Sequence, residues 1–141
     1  MKKLYFILLF CFIFFIDNVS CFAVPANSYD AYGTKTGSYR KQGNTINTYD
    51  KYGSKTGSYK TYGSTTNSYD KYGNKTGSYR ETSSGYNSYD KYGNKTGSFK
   101  KTSNGYNIYD KYGNKTGSLK KDSSGRITEY DKYGRKVGNY R

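Results

Sequence analysis

The stretch Tyr69-Asp70-Lys71-Tyr72-Gly73-Asn74-Lys75-Thr76-Gly77-Ser78 is repeated without change from Tyr89 and again from Tyr109. Looser copies begin at three further positions, Tyr29, Tyr49 and Tyr130. Successive copies are 20 residues apart as far as Tyr109, and 21 residues separate Tyr109 from Tyr130. A fixed period of this length is typical of repeat proteins, in which each unit buries its apolar face only by packing on its neighbours.

Each copy contains the turn signal Asp-x-x-Gly. In Asp70-Lys71-Tyr72-Gly73 the carboxylate can accept a hydrogen bond from the backbone two residues on, and the glycine can take the left-handed conformation that follows a type I turn. This is a common three-residue connection of a β-hairpin. Three similar sequences predict the same turn at the other end of the unit: Ser83-Ser84-Gly85, Ser103-Asn104-Gly105 and Ser123-Ser124-Gly125.

Side-chain alternation assigns the faces of the second strand, residues 74–80, with Lys75, Gly77 and Tyr79 on one face. The Tyr79 position holds Phe or Leu in two other copies, so it needs no hydroxyl and is predicted to face a shared interior. The glycine two residues earlier leaves room for a neighbouring ring or a close strand. The first tyrosine of every copy is expected inside as well: Tyr29, Tyr49, Tyr69, Tyr89, Tyr109 and Tyr130.

The sequence therefore predicts an all-β fold of six tandem β-hairpin repeats, each about 20 residues long. These repeats can close into a flower-like or propeller-like ring or stack as a short β-solenoid. Disorder is the alternative, because few aliphatic residues combined with a high net charge are typical of unfolded chains. The chain's 20 tyrosines favour folding, because each buried aromatic side chain removes about 150–250 Å² from water.

The N-terminal residues predict export. Lys2 and Lys3 precede an apolar run over residues 4–16 that is short for a membrane span and typical of a cleaved secretory signal. The predicted organisation is a signal peptide over residues 1–23, a short segment over residues 24–28 and the repeat domain over residues 29–141. Lipid attachment at Cys21 and an uncleaved anchor are the alternatives. The protein is expected to be secreted, periplasmic or at the cell surface, and at a membrane only if Cys21 is lipidated.

Charge and composition limit the function. The chain carries 24 Lys and Arg against 10 Asp and Glu, a net charge of +14, which favours polyanionic partners. The lysines alternatively serve only to keep exposed strands soluble. The sequence has no His, and its two cysteines, Cys11 and Cys21, lie in or beside the leader, so the repeats lack the residues of Ser-His-Asp, Cys-His and zinc sites. We predict no catalytic residue, cofactor, metal site or small-molecule substrate, and the chain is not expected to be an enzyme.

One aspartate per copy occupies the first turn. Paired carboxylates for hydrolysis need a cleft and two different environments, and identical turn positions supply neither. We interpret these residues as turn caps rather than as catalytic acids or calcium ligands: Asp30, Asp50, Asp70, Asp90, Asp110 and Asp131.

The tyrosines inside these turns are the candidate binding residues. Unlike the Tyr79 position, they are tyrosine in every copy, and five of the six directly follow a lysine. An exposed ring beside a cation can stack on a sugar or a base while the lysine meets an anionic group. Alternatively, each ring folds back over its own hairpin. The predicted binding residues are Tyr32, Lys51, Tyr52, Lys71, Tyr72, Lys91, Tyr92, Lys111, Tyr112, Lys132 and Tyr133.

Two functions follow from this pattern. The first is an exported, non-enzymatic binding module of the cell envelope or the extracellular space, whose weak sites act together on an anionic polymer such as an acidic polysaccharide. The second is a structural protein whose repeats associate edge to edge into a fibre or matrix. The high positive charge opposes stacking of like units in register and therefore favours the first function.

Two families share parts of the repeat. Gly125-Arg126-Ile127 followed by Tyr130-Asp131 and Gly134-Arg135 resembles the tyrosine–aspartate (YD) repeats of rearrangement-hotspot and teneurin proteins. The form Tyr-Asp-x-x-Gly-x-x-x-Gly, with the length and repeat number of residues 28–141, resembles small bacterial β-flower domains, whose hairpins pack around a central axis. Either resemblance implies β-hairpin repeats without catalytic residues in the repeats themselves, and neither implies a ligand.

Overall fold

The computed structural model describes residues 26–141, which form antiparallel strands and the tight turns between them. The predicted signal peptide, residues 1–23, and the alternative lipidation site Cys21 lie outside the described residues. Within residues 26–141 there is no helix long and apolar enough to cross a membrane.

Twelve strands follow one another along the described part of the chain. They are β1 (Ala26–Asp30), β2 (Lys35–Gln42), β3 (Thr45–Asp50), β4 (Lys55–Tyr62), β5 (Thr65–Asp70), β6 (Lys75–Thr82), β7 (Gly85–Asp90), β8 (Lys95–Thr102), β9 (Gly105–Asp110), β10 (Lys115–Lys121), β11 (Ile127–Asp131) and β12 (Lys136–Tyr140). Each strand pairs antiparallel with the next, and β1 also pairs with β12, so the sheet closes into a barrel. The predicted all-β class is confirmed.

The first and last strands close the barrel. Ser28 pairs with Tyr140, and the ladder continues where Asn27 N donates to Arg141 O at 2.8 Å and Arg141 N donates to Asn27 O at 3.2 Å. Among the described residues the barrel includes β1 from Ala26, which lies before the domain boundary predicted at Tyr29. Residues 26–28, predicted as part of a separate segment, belong to its wall.

The Asp-x-x-Gly sequences form the predicted turns. Asp70 Oδ1 accepts from the backbone N–H groups of Tyr72 and Asn74, both at 2.9 Å, and Gly73 N donates to Asp70 O at 3.1 Å. Gly73 has a φ of 89°, which is the left-handed conformation expected there. These turns join each odd-numbered strand to the next even-numbered strand, so in an up-and-down barrel they share one end. We call that end the Asp-turn rim, formed by residues 30–34, 50–54, 70–74, 90–94, 110–114 and 131–135.

The turns at the opposite end differ from the prediction. Gly85 and Gly105 are not turn residues: each begins a strand, and the loops before them contain only two residues. A Cβ at Gly85 would overlap the carbonyl oxygen of Phe99, so the glycine is needed for a close approach of strands. The prediction holds at Gly125, where φ is 84° and Asp122 caps the turn. The additional residue of the last copy therefore converts a two-residue loop into the three-residue type.

The Tyr79 position lines the barrel interior, as predicted. Its six members are all buried, and they form the core with Ile46, Tyr86, Tyr106, Ile108 and Ile127. The Tyr79 ring meets Phe99 edge-on at a centroid distance of 6.3 Å and lies 6.4 Å from Tyr59. Contacts of this kind contribute about 0.5–1.5 kcal/mol each beyond the buried area. The six members are Tyr39, Tyr59, Tyr79, Phe99, Leu119 and Tyr140.

The glycine beside each of these residues allows the neighbouring backbone to come close. A Cβ built on Gly77 would lie 2.6 Å from the carbonyl oxygen of Tyr89 and 3.4 Å from Ser68 Oγ. Of the two roles considered for this position, the structure shows close strand approach.

The prediction that the first tyrosine of each copy faces inward is wrong. Next to Tyr69 the buried residue is Ser68, while Tyr69 is half-buried on the outer face and pairs with Ser58 and Lys75. Tyr69 faces outward by simple alternation with the buried Thr66 and Ser68 of the same strand. On the partner strand β6 one additional residue, Thr76, lies between Gly77 and Lys75, and this β-bulge breaks the alternation of β6. Lys75 consequently lies opposite Tyr69 on the outer wall. The prediction from alternation, which placed Lys75 on the face of Gly77 and Tyr79, is wrong.

One carboxylate lies inside the barrel. Glu129 is 2% exposed and is opposite Leu119 on one side and Gly138 on the other. Burial raises the pKa of Glu129 to about 8, because an apolar surrounding disfavours the charged form.

Ionisation of Glu129 should therefore lower the stability of the protein as the pH rises. The pKa of Glu129 is about 8 in the folded state against an ordinary 4.5. Glu129 therefore leaves the free energy of unfolding unchanged below pH 4.5 and lowers it increasingly as the pH approaches 8, by up to about 5 kcal/mol. Urea unfolding between pH 4.5 and 8 should show this loss, and Glu129→Gln should remove most of it. Exposed Glu81→Gln is the matched control and should follow the wild-type curve. Parallel curves for the wild type and Glu129→Gln would contradict the assignment.

Close strand approach predicts a cost for any side chain at Gly77. Gly77→Ala should destabilise the barrel by about 1–3 kcal/mol, because the new methyl group must displace the Tyr89 carbonyl. The comparison variant is Thr82→Ala at the exposed end of the same strand, where a change within about 0.5 kcal/mol is expected. Equal thermal midpoints for the two variants would argue against the close approach.

Candidate functional site

The structure places the turn tyrosines at the Asp-turn rim and leaves them exposed. Their exposed fractions range from 71% for Tyr133 to 95% for Tyr32, so the rings do not fold back over their hairpins. Together with Tyr62, which is 56% exposed near the opposite end, they are the exposed large aromatic side chains of the described residues. One end of the barrel therefore presents a circle of phenol rings: Tyr32, Tyr52, Tyr72, Tyr92, Tyr112 and Tyr133.

A lysine lies against five of these rings. Lys71 Nζ is 4.8 Å from the centroid of Tyr72, and the equivalent distances in the other four copies are 4.8 or 4.9 Å. A cation–π contact at an exposed site contributes about 0.5–1 kcal/mol and holds the ammonium group beside the ring. At 78% exposure, Tyr72 still offers most of its surface to a ligand. The five pairs are Lys51–Tyr52, Lys71–Tyr72, Lys91–Tyr92, Lys111–Tyr112 and Lys132–Tyr133.

The first copy has no such pair, because Ala31 precedes Tyr32. Tyr32 is also the most exposed of the six rings. The rim therefore contains one position where the ring is present without its adjacent ammonium group.

The aspartates hold the turns in shape. In addition to the backbone contacts of Oδ1, Asp70 Oδ2 accepts from Asn74 Nδ2 at 3.0 Å. This hydrogen bond and those from the backbone lower the pKa of Asp70, because they favour the charged form. In the last copy Arg135 replaces the asparagine, and its Nε donates to Asp131 Oδ2 at 2.7 Å. The interpretation of these residues as turn caps is confirmed, and within residues 26–141 no cluster of three acidic, His or Cys side chains is placed to hold a metal ion.

A second series of cation–π pairs surrounds the outer wall, and sequence reasoning missed it. The half-buried tyrosine that begins each copy lies under a Lys or Arg from the neighbouring hairpin, at 4.8–5.6 Å from ring centroid to cation. A signal was present, because the residue after the Tyr79 position is Lys or Arg in every copy. It was missed because these tyrosines had been assigned to the interior. The wall pairs are Arg40–Tyr49, Lys60–Tyr69, Arg80–Tyr89, Lys100–Tyr109, Lys120–Tyr130 and Arg141–Tyr29.

The wall pairs and rim pairs lie close together. A groove runs from Tyr130 on the wall to Tyr133 on the rim, and Lys115, Lys120 and Lys132 line it. Chemically, the arrangement offers aromatic faces, phenol hydroxyls and ammonium groups in a solvent-exposed setting. It suits contact with sugars or bases that are joined to anionic groups.

Comparison of the chain with protein-family models, with curated proteins and with solved structures finds no match.

Proposed function

We propose that this protein is an exported, non-enzymatic repeat protein that binds an anionic polymer, best an acidic glycan, through the Asp-turn rim. The observation that carries the proposal is the circle of exposed tyrosines at one barrel end, five of them with a lysine 4.8–4.9 Å from the ring. We further propose that the barrel is a closed ring of six hairpin repeats of the flower type, and not a solenoid. Export rests on the predicted leader.

Several weak sites on one rim support polymer binding. A single exposed ring and one lysine give little affinity, but each bound site raises the effective concentration of the polymer at the next. Strands lie about 4.8 Å apart, so turns on successive hairpins are about 10 Å apart along the rim. That spacing is comparable with one disaccharide of an extended glycan, so neighbouring sites can bind neighbouring repeats of one chain.

The positive charge of the protein favours a negatively charged ligand. The chain's net charge is +14, and such a field attracts polyanions from solution before any specific contact forms. Carboxylate or sulfate groups of a glycan would meet the rim lysines, while the sugar rings would stack on tyrosine.

Self-association is the second candidate, and the barrel closure weighs against its edge-to-edge form. Every described strand has a hydrogen-bonded neighbour on both sides, so no strand edge is open for a second copy. Assembly would need the outer wall or the rim. Sedimentation of the purified protein separates the two functions, because a monomer at micromolar concentration is expected for the binding module.

Binding should depend on both charge and the rim. Dextran sulfate and uncharged dextran provide a matched pair of ligands, and we expect binding of the sulfated form only, with at least about a tenfold loss of affinity between 50 and 200 mM salt. Lys111→Gln/Lys132→Gln removes two rim lysines and should weaken binding by about tenfold.

The control has the same charge change elsewhere. Lys101→Gln/Lys121→Gln alters β8 and β10 near the opposite end of the barrel, and affinity close to wild type is expected. Equal losses for the two variants would show that total charge alone drives binding. No binding of dextran sulfate by the wild type at 50 mM salt would overturn the proposed function.

A further inference from the structure

We propose that each binding site extends from the rim into the groove between consecutive hairpins, and that this groove is a subsite for one anionic group, sulfate or carboxylate, of an acidic glycan. This inference rests on the proposed function and makes it more specific. It assigns a role to the wall cations, which the rim alone does not require.

The groove has the size and lining of such a subsite. It is open to solvent, has a volume of about 580 Å³ and brings three lysines together with two tyrosines. Lys120 Nζ lies 5.4 Å from the Tyr130 ring and Lys132 Nζ lies 4.8 Å from the Tyr133 ring. The two aromatic rings therefore position two of the ammonium groups, and Lys115 supplies a third on the same groove.

The one carboxylate in the groove is already engaged. Asp131 accepts from the backbone of Tyr133 and Arg135 through Oδ1, and from Arg135 Nε through Oδ2 at 2.7 Å. Arg135 thus offsets the charge of Asp131, and its guanidinium also lies 5.2 Å from the Tyr133 ring. The three lysines consequently remain available for the anionic group of a ligand.

Two hairpins build the site jointly. Lys115 and Lys120 come from β10, whereas Tyr130 comes from β11 and Lys132 and Tyr133 from the turn that follows it. A sugar ring stacked on Tyr133, which is 71% exposed, would place a substituent into the groove beside these lysines. Barrel closure is then part of the site, because each groove needs a neighbouring hairpin.

The same register recurs around the barrel. At the preceding junction the equivalent residues are Lys95, Lys100, Tyr109, Lys111 and Tyr112, with Lys100 Nζ 5.0 Å from the Tyr109 ring and Lys111 Nζ 4.8 Å from the Tyr112 ring.

The junction that closes the barrel is different. There Arg141 lies 4.8 Å from the Tyr29 ring and Lys136 is the sequence equivalent of Lys115. Ala31, however, stands where the other copies have the rim lysine. This junction therefore has one cation fewer, and it provides a natural weak site in the same molecule.

Ring spacing favours a glycan over a nucleic acid. Proteins that bind single strands stack successive bases on successive aromatic rings. Here one rim tyrosine occurs per pair of strands, about 10 Å from the next, which is too far for consecutive stacked bases. One sugar in each disaccharide repeat fits this interval.

The decisive variant removes wall cations and leaves the rim intact. Lys100→Gln/Lys120→Gln should reduce affinity for dextran sulfate at 50 mM salt by about as much as Lys111→Gln/Lys132→Gln, or about tenfold. Lys101→Gln/Lys121→Gln, at the adjacent residues of the same two strands, is the matched control and should bind like the wild type. The fourfold variant at 100, 111, 120 and 132 should lose less than the product of the two separate losses, because paired lysines would share one anionic group.

A gain of affinity gives a test that does not depend on removing a structural contact. Ala31→Lys restores the missing rim lysine at the closing junction and should tighten binding by about twofold, with the melting temperature recorded for every variant.

The outcomes separate the two proposals. Wild-type affinity in Lys100→Gln/Lys120→Gln, with a loss in Lys111→Gln/Lys132→Gln, would overturn the groove subsite and leave the rim function standing. No change on Ala31→Lys would count against the rim function as well as the groove, because both proposals predict the gain. Tighter binding of a single-stranded DNA oligonucleotide of matched charge than of dextran sulfate would overturn the glycan assignment.

Discussion

The close contact of backbones at the inward-facing glycines is the constraint on which the structure depends. At Gly77 the neighbouring carbonyl of Tyr89 occupies the space that a Cβ would need. Next to this contact β6 bulges at Thr76, so Gly77 faces inward while Lys75 lies on the outer wall. On the partner strand Ser68 is buried and Tyr69 faces outward. Side-chain alternation on the two strands divides the tyrosines into a core set and a wall set.

Much of this architecture could be predicted from internal comparison of the copies. The Tyr79 position was identified as buried because two other copies have Phe99 and Leu119 there, and the turn was identified from Asp-x-x-Gly. Simple alternation failed at Lys75, because a bulge leaves no signal in a pattern of period two. The inward prediction for Tyr69 was wrong because Ser68, its neighbour in the strand, is the buried residue. The two-residue length of the loops before Gly85 and Gly105 was not predicted. The sequence does not distinguish a glycine needed for close strand approach from one needed for a left-handed turn.

The candidate site combines rings presented by the turns with a lysine supplied by a strand. The aspartates use their carboxylates to fix the loops, so the loops can present large phenol rings without burying them. Turn rigidity lowers the ordering cost of binding, since the rings are held before a ligand arrives. The lysine positions beside Tyr72 could be predicted, whereas the contribution of Lys120 from the preceding strand depends on strand register and so needed the three-dimensional structure.

The hydrogen bonds between Asn27 and Arg141 hold the first strand and the end of the last strand within one strand spacing of each other. A short linker would therefore suffice to join them, and the chain could be opened instead at a loop such as Ser83-Ser84, at the end opposite the Asp-turn rim. Such a circular permutant would keep every strand pair. The strand pairing of the ring would therefore not depend on which hairpin comes first in the chain.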